Sequence, residues 1–344
     1  MLWMKKKITI KDIARVANVS IGTVDRVLHK RGKVSEKALQ KVNDALKELD
    51  YKPNPLARSL KNNVIYTISI FIPNPEKDLF WLPCKQGIEE IITEYEAFDV
   101  NISVEHYDPY EPFPFLEKGL ELIAKSPDVF LFVPLFERES DVLLKKLDKK
   151  DILTATFNSL PKNHVDQHVG QDLFLSGRVG AKLIADFLHP SSRIGIVHIE
   201  EAFNNAIHMQ EKEAGFMSFF ETLETDHKIF TKIINTDVHN HLSHFIESFD
   251  INTFFVTNSK TYEVVRTLER LDRKGTIVGY DLLPENVKYL TEGKIQFLIH
   301  QAPKLQASLS LKSLVEKLLF KKEYPEKQFL PIEIINSENV KSYL

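Results

Sequence analysis

Seven polar and aromatic side chains follow short apolar runs in this 344-residue chain, and their types share one chemistry. Asp78, Phe80 and Trp81 come after the run 65–72, Asn158 after 152–157, Asn258 after 252–257, Asp281 after 276–280 and Gln301 after 296–300. Planar carboxylates and amides make paired hydrogen bonds to neighbouring hydroxyls, and an aromatic face covers the C–H face of a sugar ring. Together these groups read as a carbohydrate site. Each also has a plain structural reading, because Asn and Asp cap helices after strands and Phe80 or Trp81 can belong to a core. No Walker loop, GxGxxG, GxSxG or HExxH occurs, so an enzyme is not expected and no cofactor is implied. His239-x-His241-x2-His244 is read as a solvated cluster rather than a metal site.

Two kinds of element must position these groups. The runs 65–72, 100–106, 128–133, 152–157, 193–199, 252–257, 276–280 and 296–300 read as strands. Helical patterns lie near 82–97, 114–125, 138–149, 174–188, 207–223, 241–247, 260–272, 284–291 and 303–320. Alternation of this kind implies parallel sheets with helices on both faces, where ligands bind beyond the carboxyl ends of the strands.

At 43% hydrophobic and 27% charged the composition is that of a globular chain, neither disordered nor fibrous. The single cysteine, Cys84, excludes an intrachain disulfide and a four-cysteine zinc site, and fits a reducing cytosol. Met1-Leu2-Trp3-Met4 is too short to be the apolar core of a signal peptide, and no apolar run approaches the ~18 residues of a membrane span. A cytoplasmic protein with no membrane partner is expected. The net charge of −3 hides an asymmetry: residues 1–63 hold 15 Lys+Arg against 6 Asp+Glu, and the remainder holds 30 against 42. A head of +9 on a body of −12 points to a polyanion partner for the head.

Within that head, Thr9 can cap a helix carrying Ile10, Ile13, Ala14 and Ala17, and Asn18-Val19 breaks it. Ser20 can cap a second helix with Val24, Val27 and Leu28 on its inner face. A third opens at Ser35 with Leu39, Val42, Leu46 and Leu49 as its stripe. Two short helices joined by a tight turn make a helix-turn-helix. Farther on, Asn54 and Pro55 can start a helix of about two turns, too short to be stable undocked.

The stretch Ile10-Lys11-Asp12-Ile13-Ala14-Arg15-Val16-Ala17-Asn18-Val19-Ser20-Ile21-Gly22-Thr23-Val24-Asp25-Arg26-Val27-Leu28 resembles the DNA-binding head of the lactose-repressor (LacI/GalR) family. The resemblance implies that the second helix enters the major groove, with Thr9, Ser20, Ile21, Gly22, Thr23, Asp25, Arg26 and His29 facing DNA. It also implies a hinge helix in 53–63 whose Leu60 wedges between base pairs, with Arg58 at phosphate. Gly22 lacks a reading side chain, and Asp25 stands where the family usually has serine. The body resembles the periplasmic sugar-binding-protein fold that such regulators carry. Val169-Gly170-Gln171-Asp172, Gly279-Tyr280-Asp281 and Gln301-Ala302-Pro303 carry that likeness, and the family's sugar-binding arginine falls on Lys212.

The expected fold is thus an all-α helix-turn-helix head plus an α/β body of two Rossmann-like parallel-sheet subdomains, the periplasmic-binding-protein type I fold. Its divisions are a head at 1–52, a hinge at 53–63 and a ligand domain at 64–344. Within the latter, 64–169 with 302–322 form one subdomain, and 172–300 with 326–344 the other. The expected function is a repressor-type transcriptional regulator that binds operator DNA as a homodimer under control of a small sugar or sugar derivative. A transport receptor and a DNA-binding head fused to a sugar-modifying enzyme are the alternatives.

Overall fold

The computed structural model describes residues 10–28, 34–49, 64–200, 205–223 and 227–344. The chain divides into two units, Met1–Asn62 and Asn63–Leu344. Thr9, His29, Arg58, Leu60 and the whole of 53–63 lie outside the described residues.

In the first unit, α1 (Ile10–Ala17), α2 (Ile21–Leu28) and α3 (Glu36–Glu48) pack through Ile13, Ala14, Ala17, Val24, Val42 and Ala45. The turn between α1 and α2 places Asn18 at φ +48°, a left-handed conformation that asparagine tolerates better than most residues. Ser20 caps α2 as its sequence suggests, its Oγ accepting from the Thr23 amide at 3.1 Å. Ser35 caps α3 through the Ala38 amide at 3.4 Å. One expectation is corrected here. Leu39 is 42% exposed, because Val42 and Ala45 already fill the small core from α3.

The second unit contains two six-stranded sheets. In the first, β1 (Tyr66–Pro73), β2 (Val100–Tyr107), β3 (Val129–Phe132), β4 (Leu153–Asn158), β5 (Gln167–Gly170) and β11 (Lys327–Phe329) run parallel in the order β11-β5-β4-β3-β1-β2. In the second, β6 (Arg193–Ile199), β7 (Lys228–Ile234), β8 (Thr253–Val256), β9 (Thr276–Tyr280) and β10 (Phe297–His300) are parallel. There β12 (Glu333–Ile335) joins β10 as an antiparallel edge, giving β12-β10-β9-β8-β6-β7. Central strands are apolar on both faces: Val129 to Phe132 and Thr253 to Val256 are wholly buried. That pattern requires helices on both sides.

The helices α4 (Leu82–Glu94), α5 (Pro112–Ala124), α6 (Glu137–Leu147) and α12 (Pro303–Phe320) serve the first sheet. The helices α7 (Leu173–Ala185), α8 (Ile207–Glu221), α9 (Val238–Phe249), α10 (Thr261–Arg270) and α11 (Pro284–Thr291) serve the second. The chain crosses between the sheets three times, after β5, after β10 and after β11. The last crossing corrects the expected division, which gives 326–344 to the second subdomain. Lys327–Phe329 pairs with β5, so the crossing falls at 330–332, just beyond the short strand. Strand order reverses between β1 and β3 and between β6 and β8, which opens a crevice at their carboxyl ends.

Candidate functional site

All eight residues singled out for ligand contact, Asp78, Phe80, Trp81, Asn158, Lys212, Asn258, Asp281 and Gln301, line one cavity at those strand ends. The first four come from one subdomain and the others from the far side or the crossing between them. Local backbone chemistry explains part of their identity. Asn158 ends β4 and Asp281 follows β9, at φ +69° and +66°, where short polar side chains are tolerated and β-branched ones are not. Asp78 caps the single turn Leu79–Trp81, its Oδ1 accepting from the Phe80 amide at 3.0 Å. The capping role and the cavity position therefore coexist in one residue.

Asp281 is the most constrained group. It is 2% exposed, and its two carboxylate oxygens accept from the Gln301 amide at 3.3 Å and from Gln301 Nε2 at 2.7 Å. Burial pushes its carboxyl up to about 6, against the opposing pull of Lys212 and of the Gln301 bonds, while Asp78 adds to the rise. Lys212, 1% exposed, donates from Nζ to the Thr257 carbonyl at 3.0 Å and lies 3.7 Å from the Tyr280 ring centroid. That ring is itself fixed by a 2.8 Å bond between its hydroxyl and Ser176 Oγ. Asn258 donates from Nδ2 to the Ile199 carbonyl at 2.7 Å and accepts at Oδ1 from the Lys260 amide at 3.2 Å. Phe80 and Trp81 meet edge to face at 4.7 Å, buried in the first subdomain's core while also lining the cavity.

Five further lining residues went unremarked in the sequence: Pro109, Tyr110, Leu135, His208 and Ser259. Pro109, Tyr110 and Leu135 follow β2 and β3, and the position just after a strand is the signal that marks them. His208 lies one helical turn before Lys212 on α8. Two contacts span the mouth of the cleft. Lys260 Nζ donates to the Tyr110 hydroxyl at 3.2 Å and pairs with Glu200 at 2.6 Å. Asn205 accepts from the Arg138 amide at 3.0 Å and donates to Glu139 at 2.7 Å. Cys84 does not line the cavity; it is buried, its thiol donates to the Pro303 carbonyl at 3.4 Å, and burial raises its pKa.

In the head, Ile21, Gly22 and Arg26 are exposed along α2, and Thr23 and Asp25 are half-buried beside them. Among the described residues a Cβ at Gly22 meets nothing closer than Ser20 Oγ at 3.9 Å, so their packing does not demand a glycine there. His239 bonds Thr267 Oγ1 at 2.9 Å and lies 3.4 Å from Glu263, and His241 bonds the Thr236 carbonyl at 2.7 Å.

Residues 68–322 match the periplasmic binding protein domain family, and residues 9–54 match the bacterial regulatory proteins of the lacI family. The HTH-type transcriptional regulator RegA of Clostridium saccharobutylicum is 36% identical over 153 residues, 43% of this chain and 43% of that protein. Catabolite control protein A of Staphylococcus aureus strain Mu50 is 33% identical over 128 residues, 37% of each. The matched region thus spans less than half the length of these relatives. Among solved structures, a putative LacI transcriptional regulator from Bacteroides fragilis superposes with a TM-score of 0.75 at 26% identity, over 82% of this chain and all of that one. A solute binding protein of an ABC transporter from Bacillus halodurans C-125, with bound myo-inositol, shares the fold at a TM-score of 0.71 and 17% identity, over 82% of this chain and 98% of its own. The chain therefore belongs to the periplasmic binding protein domain family through its body, and its head is of the lacI family of bacterial regulatory proteins.

Proposed function

We propose that the protein is a sequence-specific DNA-binding transcriptional regulator whose operator affinity is set by a small sugar or sugar derivative held in the cleft. One observation carries the reading: a lacI-family head shares its chain with a body in which eight post-strand and helix residues of sugar-binding type meet in one cavity. In the site, Asp281, Asn158, Asn258 and Gln301 take the ligand hydroxyls, Lys212 donates to a ring or hydroxyl oxygen, and Phe80 and Trp81 cover an apolar ring face. Lysine in place of the family's arginine keeps the charge but offers no bidentate fork. Thr9, Ser20, Ile21, Gly22, Thr23, Asp25, Arg26 and His29 form the DNA-facing set, with Arg26 at a guanine or a phosphate and Leu60 and Arg58 acting in the hinge.

Ligand favours the closed cleft by as much as its affinity differs between open and closed states. In a homodimer that shift governs whether both heads engage their half-sites at once, and losing simultaneous engagement forfeits avidity. The protein acts in the cytoplasm and performs no turnover. The test pairs two variants of the full chain, read by operator-binding anisotropy and by sugar-induced thermal shift. Leu60→Ala weakens operator binding and spares the sugar response, whereas Asp281→Ala abolishes the sugar response and spares operator binding. Loss of both properties in both variants, or chemical conversion of a bound sugar, overturns the reading.

A further inference from the structure

The three crossings between the sheets meet at one side chain. Gln171 lies on the first crossing, and its Nε2 donates to the carbonyl of His300, the last residue of β10 where the second crossing begins, at 3.0 Å and to the Pro331 carbonyl at the third at 2.7 Å. The residue is 2% exposed, and its Oε1 is buried without a hydrogen-bond partner among the described residues. A primary amide has two N–H groups, so both donors are committed, one to each of the other two chain segments. Neighbouring contacts brace the same region. The Leu330 amide donates to the Gly170 carbonyl at 2.7 Å, Gln306 Nε2 donates to the Gln301 carbonyl at 2.6 Å, and Ala302 is held at φ +50°.

We propose that Gln171 is the positioning residue that sets the hinge angle of the body, and with it the balance between open and closed cleft. When two subdomains rotate, the crossing segments absorb the backbone change and their carbonyls move by different amounts. A planar amide keeps two hydrogen bonds of normal length to two separately moving acceptors over only a narrow range of angles. Gln171 therefore favours the angle at which both bonds form. At that angle the cleft mouth is bridged by Lys260 with Tyr110 and by Asn205 with Arg138 and Glu139, so the favoured state is the closed one. Opening breaks at least one bond and strands a buried donor or carbonyl, which is costly in a dry site. The proposal concerns the body's own equilibrium and stands whatever the ligand of the cleft is.

The experiment measures cleft width without ligand. Spin labels attached in a Phe113→Cys, Glu211→Cys double variant of the full chain, diluted with unlabelled chain, report the distance across the cleft by double electron–electron resonance; buried Cys84 stays unlabelled. Gln171→Met keeps the side-chain length and removes both donors. At least a tenfold shift of population toward the longer distance is expected. Gln171→Asn keeps both donors one methylene short and serves the same purpose if the methionine variant does not fold. An unchanged distance distribution in a folded variant, whatever its melting temperature, overturns the proposal.

Discussion

Asp281 holds its proton to an unusually high pH because desolvation outweighs the help it receives from Lys212 and Gln301. Its carboxyl rises from 3.8 to about 6 on folding, so the folded state binds more protons than the unfolded state across that interval. This contribution to stability is fully present below pH 3.8 and is lost as pH rises through 6, a change of roughly 3 kcal/mol. Thermal melting between pH 4 and 7 should show this decline in the wild-type chain and not in Asp281→Asn. Hydroxyl donors from a sugar favour the ionised form, so binding releases a proton and affinity should climb as pH passes 6, a trend that calorimetry should find flattened in the same variant. Lys212→Met should move the titration upward, since the ammonium is the largest of the groups that oppose the rise, ahead of the Gln301 hydrogen bonds. The position of Asp281 was legible in the sequence because β9 is an apolar run that ends on it. His208 was not, since nothing local shows that the first turn of α8 faces the same space, whereas Tyr110 carries the same post-strand signal as the residues that were singled out.

Helices α7 and α8 pack through glycines, and the contact reaches the cleft. A Cβ at Gly177 lies 2.0 Å from the Lys212 carbonyl, and one at Gly215 lies 1.9 Å from the Phe174 carbonyl. Neither obstacle is a flexible side chain, so the helices themselves must part. Gly177→Ala should cost about 3 kcal/mol or more in denaturant unfolding and weaken ligand binding with it, because Lys212 rides on the displaced helix. Gly22→Ala is the opposite case: an open helical site, so chemical denaturation should show a gain of about 0.5–1 kcal/mol in the head. The nine helices expected after residue 64 and eight of the strands were legible because their apolar periods are long. Strands β5, β7, β11 and β12 were not. β5 buries Gln167 and His168, whose partners Ser313 and Thr156 lie elsewhere in the chain, and β11 and β12 have three residues each. β7 is an edge strand in which Ile234 alone is fully buried, and Thr231-Lys232 interrupts the apolar run that marks its neighbours.

At the scale of the molecule, charge separates two tasks, with +9 in residues 1–63 and −12 in the rest. Operator affinity should fall by about 10³-fold or more between 50 and 200 mM salt if six or more phosphates are neutralised, as anisotropy titrations would read. A chain of residues 64–344 should keep its ligand-induced thermal shift and show no DNA binding at either salt concentration. The three crossings also impose an order on assembly. The second sheet is complete but for one short antiparallel edge once residue 300 has been made, whereas the first lacks both α12 and its β11 edge until residue 329. At a synthesis rate of ~5–20 residues per second, β5 leaves the ribosome roughly 8–30 s before β11, its partner on the outer side. During that interval the earlier-made lobe stays unfinished while the later-made one closes, so nascent chains should acquire protease resistance first in the lobe of the second sheet, with the lobe of the first sheet sealing last.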